Sequence, residues 1–408
     1  MPTPKLRFKE FDDGLEKNNL IDLTMWASGG TPSKKNEDYW MGDIPLISGA
    51  SMHTSKIYES EVNITDLGLK KGSKLAPKNS ILILVRGSML FKKIPMGMTL
   101  KDVAFNQDVK SIITKEDLNE YYFFQWLLSQ ENIIQNKVTS TGIGAGKLDT
   151  SELQNLEIYY PAKVEQTKIA TFLSAVDTKI DELTQKHELL TEYKKGMMQQ
   201  IFSQKLRFKA DNGSDFEDWI KYNIGTIFTE IKDQVLDQDI ETYSITAGKG
   251  FISQAEKFGR DISGKQNRKY IVLKPNDFSY NKGNSKTFKY GCVYLNRFNH
   301  NIAVPNVFIS FRTKESNKHY SIFYAQLFES HYLDKHLRLL ISSSARMDGL
   351  LNISKKGFFE IPIPSPCLEE QTKIANFLTA IDQKIDNVAE QIDHAKTWKK
   401  GLLQQMFV

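Results

Sequence analysis

Residues 165–202 read EQTKIATFLSAVDTKIDELTQKHELLTEYKKGMMQQIF, and residues 370–407 read EQTKIANFLTAIDQKIDNVAEQIDHAKTWKKGLLQQMF, a constant 205 positions later and without a gap. Of these 38 aligned positions, 19 are identical. In the first copy Ile169, Leu173, Val176, Ile180, Leu183, His187, Leu190, Met197 and Ile201 step by alternating fours and threes, with Lys194 at the seam place between Leu190 and Met197. In the second copy Ile374, Leu378, Ile381, Ile385, Val388, Ile392, Ala395, Leu402 and Met406 do the same, with Lys399 at that place. A seam recurring every 3.5 residues marks a helix that packs on another helix rather than on a sheet. Neither copy contains proline, so each predicts one unbroken helix of roughly 55 to 60 Å at about 1.5 Å per residue. The natural partner of each is the other.

Working outward, the copies divide the chain into residues 1–163, a first helical region 164–210, residues 211–367, and a second helical region 368–408. Lys5-Leu6-Arg7-Phe8-Lys9 returns as Lys205-Leu206-Arg207-Phe208-Lys209, directly before the second large segment. The large segments have diverged further, yet Thr139-Ser140-Thr141 aligns with Ser342-Ser343-Ser344, Gly146 with Gly349 and Leu148 with Leu351. The chain reads as a tandem duplication: one scaffold used twice, with different surfaces.

The class is bounded by simple features. The longest uncharged apolar run, Ile81–Val85, is far too short for a membrane span, and residues 1–10 hold no signal-peptide core. Cys292 and Cys367 form no Cys-x-x-Cys pair, which suits a reducing cytoplasm and offers no zinc framework. No membrane partner is expected.

Local charge points to a partner. Leu67–Lys101 contains no acidic residue and eight basic ones, Lys70, Lys71, Lys74, Lys78, Arg86, Lys92, Lys93 and Lys101. Phe278–Lys314 is again free of acid and carries Lys282, Lys286, Lys289, Arg297, Arg312 and Lys314. The stretches occupy comparable places in the two modules, so a duplicated surface facing a polyanion is the natural reading, against the alternative of two merely solvated faces. Within them a strand leads into a glycine turn at Arg86-Gly87-Ser88 and at Tyr280-Asn281-Lys282-Gly283-Asn284-Ser285. Glycine there lets the backbone approach a phosphate or base edge closely. The hydroxyl-rich loops Thr139–Lys147 and Ser342–Arg346 suit phosphate contacts. The first of them is no P-loop, because Thr141 stands for its first glycine and Leu148 for its Ser/Thr. The DNA-contact candidates are Ser33, Lys34, Lys35, Lys70, Lys71, Arg86, Ser88, Lys92, Lys93, Thr139, Ser140 and Lys147 in the first module, and Tyr280, Asn281, Lys282, Ser285, Lys286, Arg297, Ser343 and Arg346 in the second.

The paired Glu-Gln-Thr-Lys-Ile-Ala helices end in Lys-Gly-x-x-Gln-Gln-x-Phe at Lys195–Phe202 and Lys400–Phe407, and the Lys-Leu-Arg-Phe lead-ins precede both modules. The first module opens with Gly29-Gly30-Thr31-Pro32-Ser33 followed by Tyr39-Trp40-x-Gly42-Asp43-Ile44-Pro45. On these motifs the chain resembles the specificity subunit of type I restriction-modification systems; the second module lacks the Gly-Gly-Thr-Pro-Ser element. The resemblance implies an α+β fold, two globular target recognition domains (1–163 and 211–367) joined by two long antiparallel coiled-coil helices with pseudo-two-fold symmetry, the domains at opposite ends of a rod that sets the gap between two half-sites. It further implies a non-catalytic chain that reads a bipartite site on double-stranded DNA and docks two methyltransferase subunits for adenine N6 methylation. Endonuclease or translocase subunits join for restriction. No cofactor is expected on the chain itself; S-adenosylmethionine belongs to the methyltransferase partner, ATP and Mg to the endonuclease. In agreement, the sequence lacks an Asn/Asp-Pro-Pro-Phe/Tyr tetrapeptide, a Gly-rich cofactor loop after a strand and His-Glu-x-x-His. Because the helix ends match more closely than a seam requires, Glu165, Gln166, Lys195, Gln199 and Phe202, with Glu370, Gln371, Lys400, Gln404 and Phe407, are expected as two equivalent docking sites. The competing readings are an enzyme with its own transferase or nuclease and a coiled-coil scaffold without DNA function.

Overall fold

The computed structural model describes residues 3–142, 144–258, 264–283, 288–341 and 351–408, without the side chains of 257–258 and 264–266. It falls into two compact units, residues 1–185 with 389–408, and residues 186–388. The repeats form helices Lys163–Phe202 and Leu368–Met406, each after a short strand and a proline, Pro161 or Pro366, that disfavours earlier helix. No helix among the described residues is long and apolar enough to cross a membrane.

The units divide inside the long helices rather than at 163 or 367, because each helix buries different parts of its seam in different cores. In the first unit Ile169, Leu173 and Val176 join Leu402, Leu403 and Met406 in one core with Phe105, Phe123 and Trp126. In the second, Met198 and Ile201 join Ile374, Leu378 and Ile381 around Phe228, Phe278, Phe311 and Phe323. In each, therefore, the start of one long helix lies antiparallel to the end of the other.

The seam lysines show how a charge survives there. Lys399 Nζ lies 2.6 Å from Asp177 Oδ1, while Asp177 Oδ2 accepts from Tyr121 Oη at 2.6 Å and Gln125 Nε2 at 2.9 Å. Burial first, and the Asp177 carboxylate second, hold the Tyr121 hydroxyl protonated. In the second unit Lys194 meets Asp382 at 2.6 Å and Glu329 at 2.5 Å, and Gln326 Nε2 donates to Asp382 at 2.8 Å. A buried ammonium persists because its desolvation is offset by carboxylates that are themselves hydrogen-bonded.

A five-stranded sheet organises the first unit in the order Thr24–Ser28, Val109–Thr114, Ile81–Leu84, Met96–Thr99, Lys56–Ile57, the last pair parallel. Ile81–Leu84 is buried at every residue, as its apolar run requires of a central strand. A second sheet pairs Trp40–Ile47 with Val103–Phe105, and the latter with Lys74–Ala76. A small third sheet pairs Thr139–Ser140 with Gly146–Lys147, and the latter with Arg86–Gly87.

The second unit repeats the main sheet as Phe228–Glu230, Ile309–Thr313, Phe278–Asn281, Cys292–Leu295. No strand among its described residues corresponds to Lys56–Ile57. In the first unit Lys56 ties that strand to Asp181 of the long helix; in the second the equivalent Asp386 lines a cleft of about 1000 Å3 with Phe251, Tyr294 and Phe298.

Candidate nucleic-acid interface

In the first unit close backbone packing builds the face. A Cβ on Gly29 would fall 2.0 Å from the Phe105 carbonyl oxygen, and one on Gly72 would fall 2.4 Å from the Pro32 Cα. Only glycine therefore lets the Gly29–Ser33 segment lie against both the strand Val103–Phe105 and the C-terminal end of the helix Asp66–Gly72. Ser33, Lys34 and Lys35 follow that contact, Lys70 and Lys71 precede it, and all five are exposed. The small third sheet sets Arg86 opposite Lys147, and Lys147 opposite Thr139. Leu148 N donates to the Val85 carbonyl at 2.9 Å, which seats this hairpin beside the glycine turn.

Lys110 joins the same face. It projects from the strand Val109–Thr114 beside Ser28, to which it donates a hydrogen bond. Partial burial first, then the nearby charges of Arg86 and Lys74, hold its pKa below the ordinary lysine value. Among the described residues Lys34, Lys35, Lys70, Lys71, Lys74, Arg86, Lys92, Lys93 and Lys110 make no ion pair. Cations clustered without neutralising carboxylates raise the local potential and attract a polyanion. Arg86, Ser88, Lys92, Lys93, Thr139, Ser140 and Lys147 are likewise exposed. Lys110 escapes the charge pattern because Asp102 and Asp108 break the acid-free run before it; only strand register brings it beside Arg86.

The second unit departs from expectation. Tyr280 is fully buried, stacks on Phe358 with centroids 4.9 Å apart and donates its hydroxyl to the Tyr290 carbonyl at 2.7 Å, so it is a core residue that cannot reach DNA. Asn281 is half-buried, donating to the Ile245 carbonyl at 3.2 Å and accepting from Gly283 N at 2.9 Å, and is thus committed to shaping its turn. Lys282 is half-buried, and its carbonyl accepts from Leu351 N at 2.9 Å, the counterpart of the Leu148 to Val85 bond. Arg297 is exposed. Arg312 is tied to Asp277 at 2.6 Å and Asp233 at 3.6 Å, and Lys314 to the Gly225 carbonyl at 2.6 Å. Ser285, Lys286, Ser343 and Arg346 lie outside the described residues.

Several expected docking residues are internal. Arg7 bonds both Glu165 oxygens at 2.7 Å. Arg207 bonds Glu370 at 3.2 and 2.8 Å, and Trp219 Nε1 donates to the same carboxylate at 2.9 Å. Gln166 Oε1 accepts from Asn119 N at 2.8 Å while its Nε2 donates to the Pro161 carbonyl at 2.9 Å; Gln371 repeats this with Tyr320 N at 2.7 Å and the Pro366 carbonyl at 2.8 Å. All four side chains are buried. Their recurrence in both copies reflects a clamp between the Lys-Leu-Arg-Phe segment, the helix start and the preceding domain. Phe202 packs on Phe323 and Phe407 on Tyr122, with centroids 5.9 and 5.3 Å apart, so both are core anchors. Lys195, Gln199, Lys400 and Gln404 remain exposed. Next to them stand equivalent exposed aromatics that sequence reading passed over, Tyr193 at 51% and Trp398 at 54% accessibility.

The profile of the type I restriction modification DNA specificity domain matches residues 13–192 and 217–396, so the chain belongs to that family. An Escherichia coli type I restriction enzyme specificity subunit is 33% identical over 182 residues, covering 44% of this chain and 45% of that protein. A Methanocaldococcus jannaschii specificity subunit is 31% identical over 192 residues, covering 45% and 44%. The chain thus matches a little under half the length of these two relatives. A putative specificity subunit of the same archaeon is 24% identical over 427 residues, 98% of this chain and 95% of that protein. The crystal structure of a type I restriction-modification S subunit from M. genitalium covers 100% of this chain and 99% of its own at 18% identity, with a TM-score of 0.58, a likeness of fold.

Proposed function

We propose that this chain is the DNA-reading, non-catalytic subunit of a type I restriction-modification complex in the cytoplasm, each unit reading one half of a bipartite site. The observation that carries it is the basic face of the first unit, where Arg86, Lys147, Thr139 and Ser140 share one small sheet beside Lys110 and the one carboxylate paired with these cations among the described residues is Asp149, 3.9 Å from Lys147. Two methyltransferase subunits dock on the long helices around Tyr193, Lys195 and Gln199 and around Trp398, Lys400 and Gln404. Exposed aromatics beside flexible polar groups are the residue types that anchor such interfaces. S-adenosylmethionine then resides in the methyltransferase, and ATP with Mg in an endonuclease partner, the chain holding no cofactor.

The test combines the purified chain with its methyltransferase and maps methylated adenines. Arg86→Ala and Lys110→Ala are expected to weaken DNA binding alike for all sequences, each lowering the salt slope by about one unit if one phosphate contact is lost. Unchanged affinity in both variants, with the fold intact, would overturn the assignment of this face. Native mass spectrometry is expected to show two methyltransferases per chain, and Tyr193→Ala with Trp398→Ala to lose them; a single bound partner at saturation contradicts the docking.

A further inference from the structure

The loop leading into the strand Val109–Thr114 carries an exposed amide. Val109 N donates to the Asn106 carbonyl at 3.3 Å, and Val85 N to the Asp108 carbonyl at 2.8 Å, which presents Gln107 at the tip. On one side the neighbouring strand sets Lys74 opposite Phe105; on the other the Val85 bond brings Arg86 alongside, and Lys110 follows three residues later. Thr31 Oγ1 donates to Gln107 Oε1 at 2.8 Å, holding the amide plane. Gly30 N donates to the Phe105 carbonyl at 3.0 Å, fixing the segment that carries Thr31.

The second unit repeats the loop. Phe308 N donates to the Pro305 carbonyl at 3.1 Å as Val109 N does to Asn106, and Lys314 N to the Ile227 carbonyl at 2.9 Å as Lys115 N does to Leu23. Both donors and the Pro305 carbonyl lie 199 residues beyond their counterparts, and Ile227 lies 204 beyond Leu23; the shared offset of 199 places Asn306 at the position of Gln107. Asn306 is exposed, and its side chain makes no hydrogen bond among the described residues. The surrounding cations differ between the units, yet the tip keeps a side-chain amide.

An amide joins a donor and an acceptor in one plane, the pattern that pairs with N6–H and N7 of adenine in the major groove. The Thr31 hydroxyl uses one lone pair of Gln107 Oε1 and leaves the other, with both N–H groups, free. Lysines and arginines around it suit phosphates, which position the protein without reading sequence. We infer that Gln107 and Asn306 are the base-reading residues of their units, each recognising an adenine in its own half-site. The inference rests on the DNA-interface reading above.

The experiment sequences the adenines methylated by the complex of this chain with its methyltransferase. Gln107→Ala is expected to relax one position of one half-site, with discrimination there falling roughly 5- to 150-fold, and to leave the other half unchanged. Asn306→Ala does the same to the other half-site. Gln107→Glu shifts the favoured base at that position toward cytosine, whose N4 donates to a carboxylate. Unaltered sites in all three variants, with Arg86→Ala still lowering affinity for every sequence, would overturn the assignment of these amides while leaving the interface intact. Loss of effect from Arg86→Ala and Lys110→Ala as well would remove the interface itself.

Discussion

In the unit of residues 1–185 and 389–408, Glu165 is held among the described residues by Arg7 alone, whereas in the unit of residues 186–388 the equivalent Glu370 takes both Arg207 and Trp219. Both versions bury the carboxylate, and both place a phenylalanine of the same segment against the helix, Phe8 on Phe172 and Phe208 on Phe377. The outward faces have meanwhile parted: the first unit leaves Lys70, Lys71, Arg86, Lys92, Lys93 and Lys110 without an ion pair among the described residues, while the second binds Arg312 to Asp277 and buries Tyr280. Duplication has preserved what attaches each domain to its helices, because a buried charge without its partner is costly. A solvated face carries no such penalty and is free to change.

The clamps give the sharpest test of this contrast. Arg7→Ala leaves Glu165 buried with no donor and is expected to cost about 3 to 5 kcal/mol. Arg207→Ala should cost less, since Trp219 still donates to Glu370. Urea unfolding followed by hydrogen exchange in each unit compares them, and an equal loss would show that the indole contributes nothing.

Next come the seam lysines. Lys399→Met leaves Asp177 two neutral donors and is expected to cost about 1.5 to 3 kcal/mol. Lys194→Met leaves Asp382 a single neutral donor, from Gln326, where Asp177 keeps two, so its cost should be the larger of the two; half-exposed Glu329 turns to water. Stabilisation by either methionine would mean that the seam tolerates its charge only for specificity.

Acid separates the units by a smaller amount. His319 of the second unit stands where the first has buried Leu118, each one residue before the backbone amide bound by Gln371 or Gln166. Its ring faces Tyr324, Ser365 and Tyr222, with Glu315 and Lys318 nearby, and burial first holds its pKa below the ordinary histidine value. The unfolded chain then binds the proton more readily. Stability from this site is full above about pH 6.5 and falls as pH drops below it, by less than about 1.4 kcal/mol per pH unit. Protection factors in the second unit, taken relative to intrinsic exchange at each pH, should fall between about pH 7.5 and 5.5, and His319→Leu should remove that fall.

Smallest is the tie on the extra strand of the first sheet. Lys56 and Asp181 are both half exposed, so Lys56→Ala should cost under about 1 kcal/mol. A loss well above that would make the strand that the described residues of the second unit lack a greater structural difference than its single exposed tie suggests.

Much of this architecture is written along the chain. The 3.5-residue seam, the absence of proline and the 205-residue repeat determine two long helices and a duplicated protein, because periodicity and self-similarity need no tertiary information. The Leu67–Lys101 run likewise marks part of the basic face. Which identical residues turn inward was not legible: Glu165 and Gln166 look like surface residues at a helix start until Arg7 and Asn119, distant in sequence, close over them. Nor were Lys110 and Gln107, whose place beside Lys74 and Arg86 depends on pairing among strands that the chain visits at separate times. Charge and amide geometry at a binding face depend on positions in space, and only strand register and loop packing decide those.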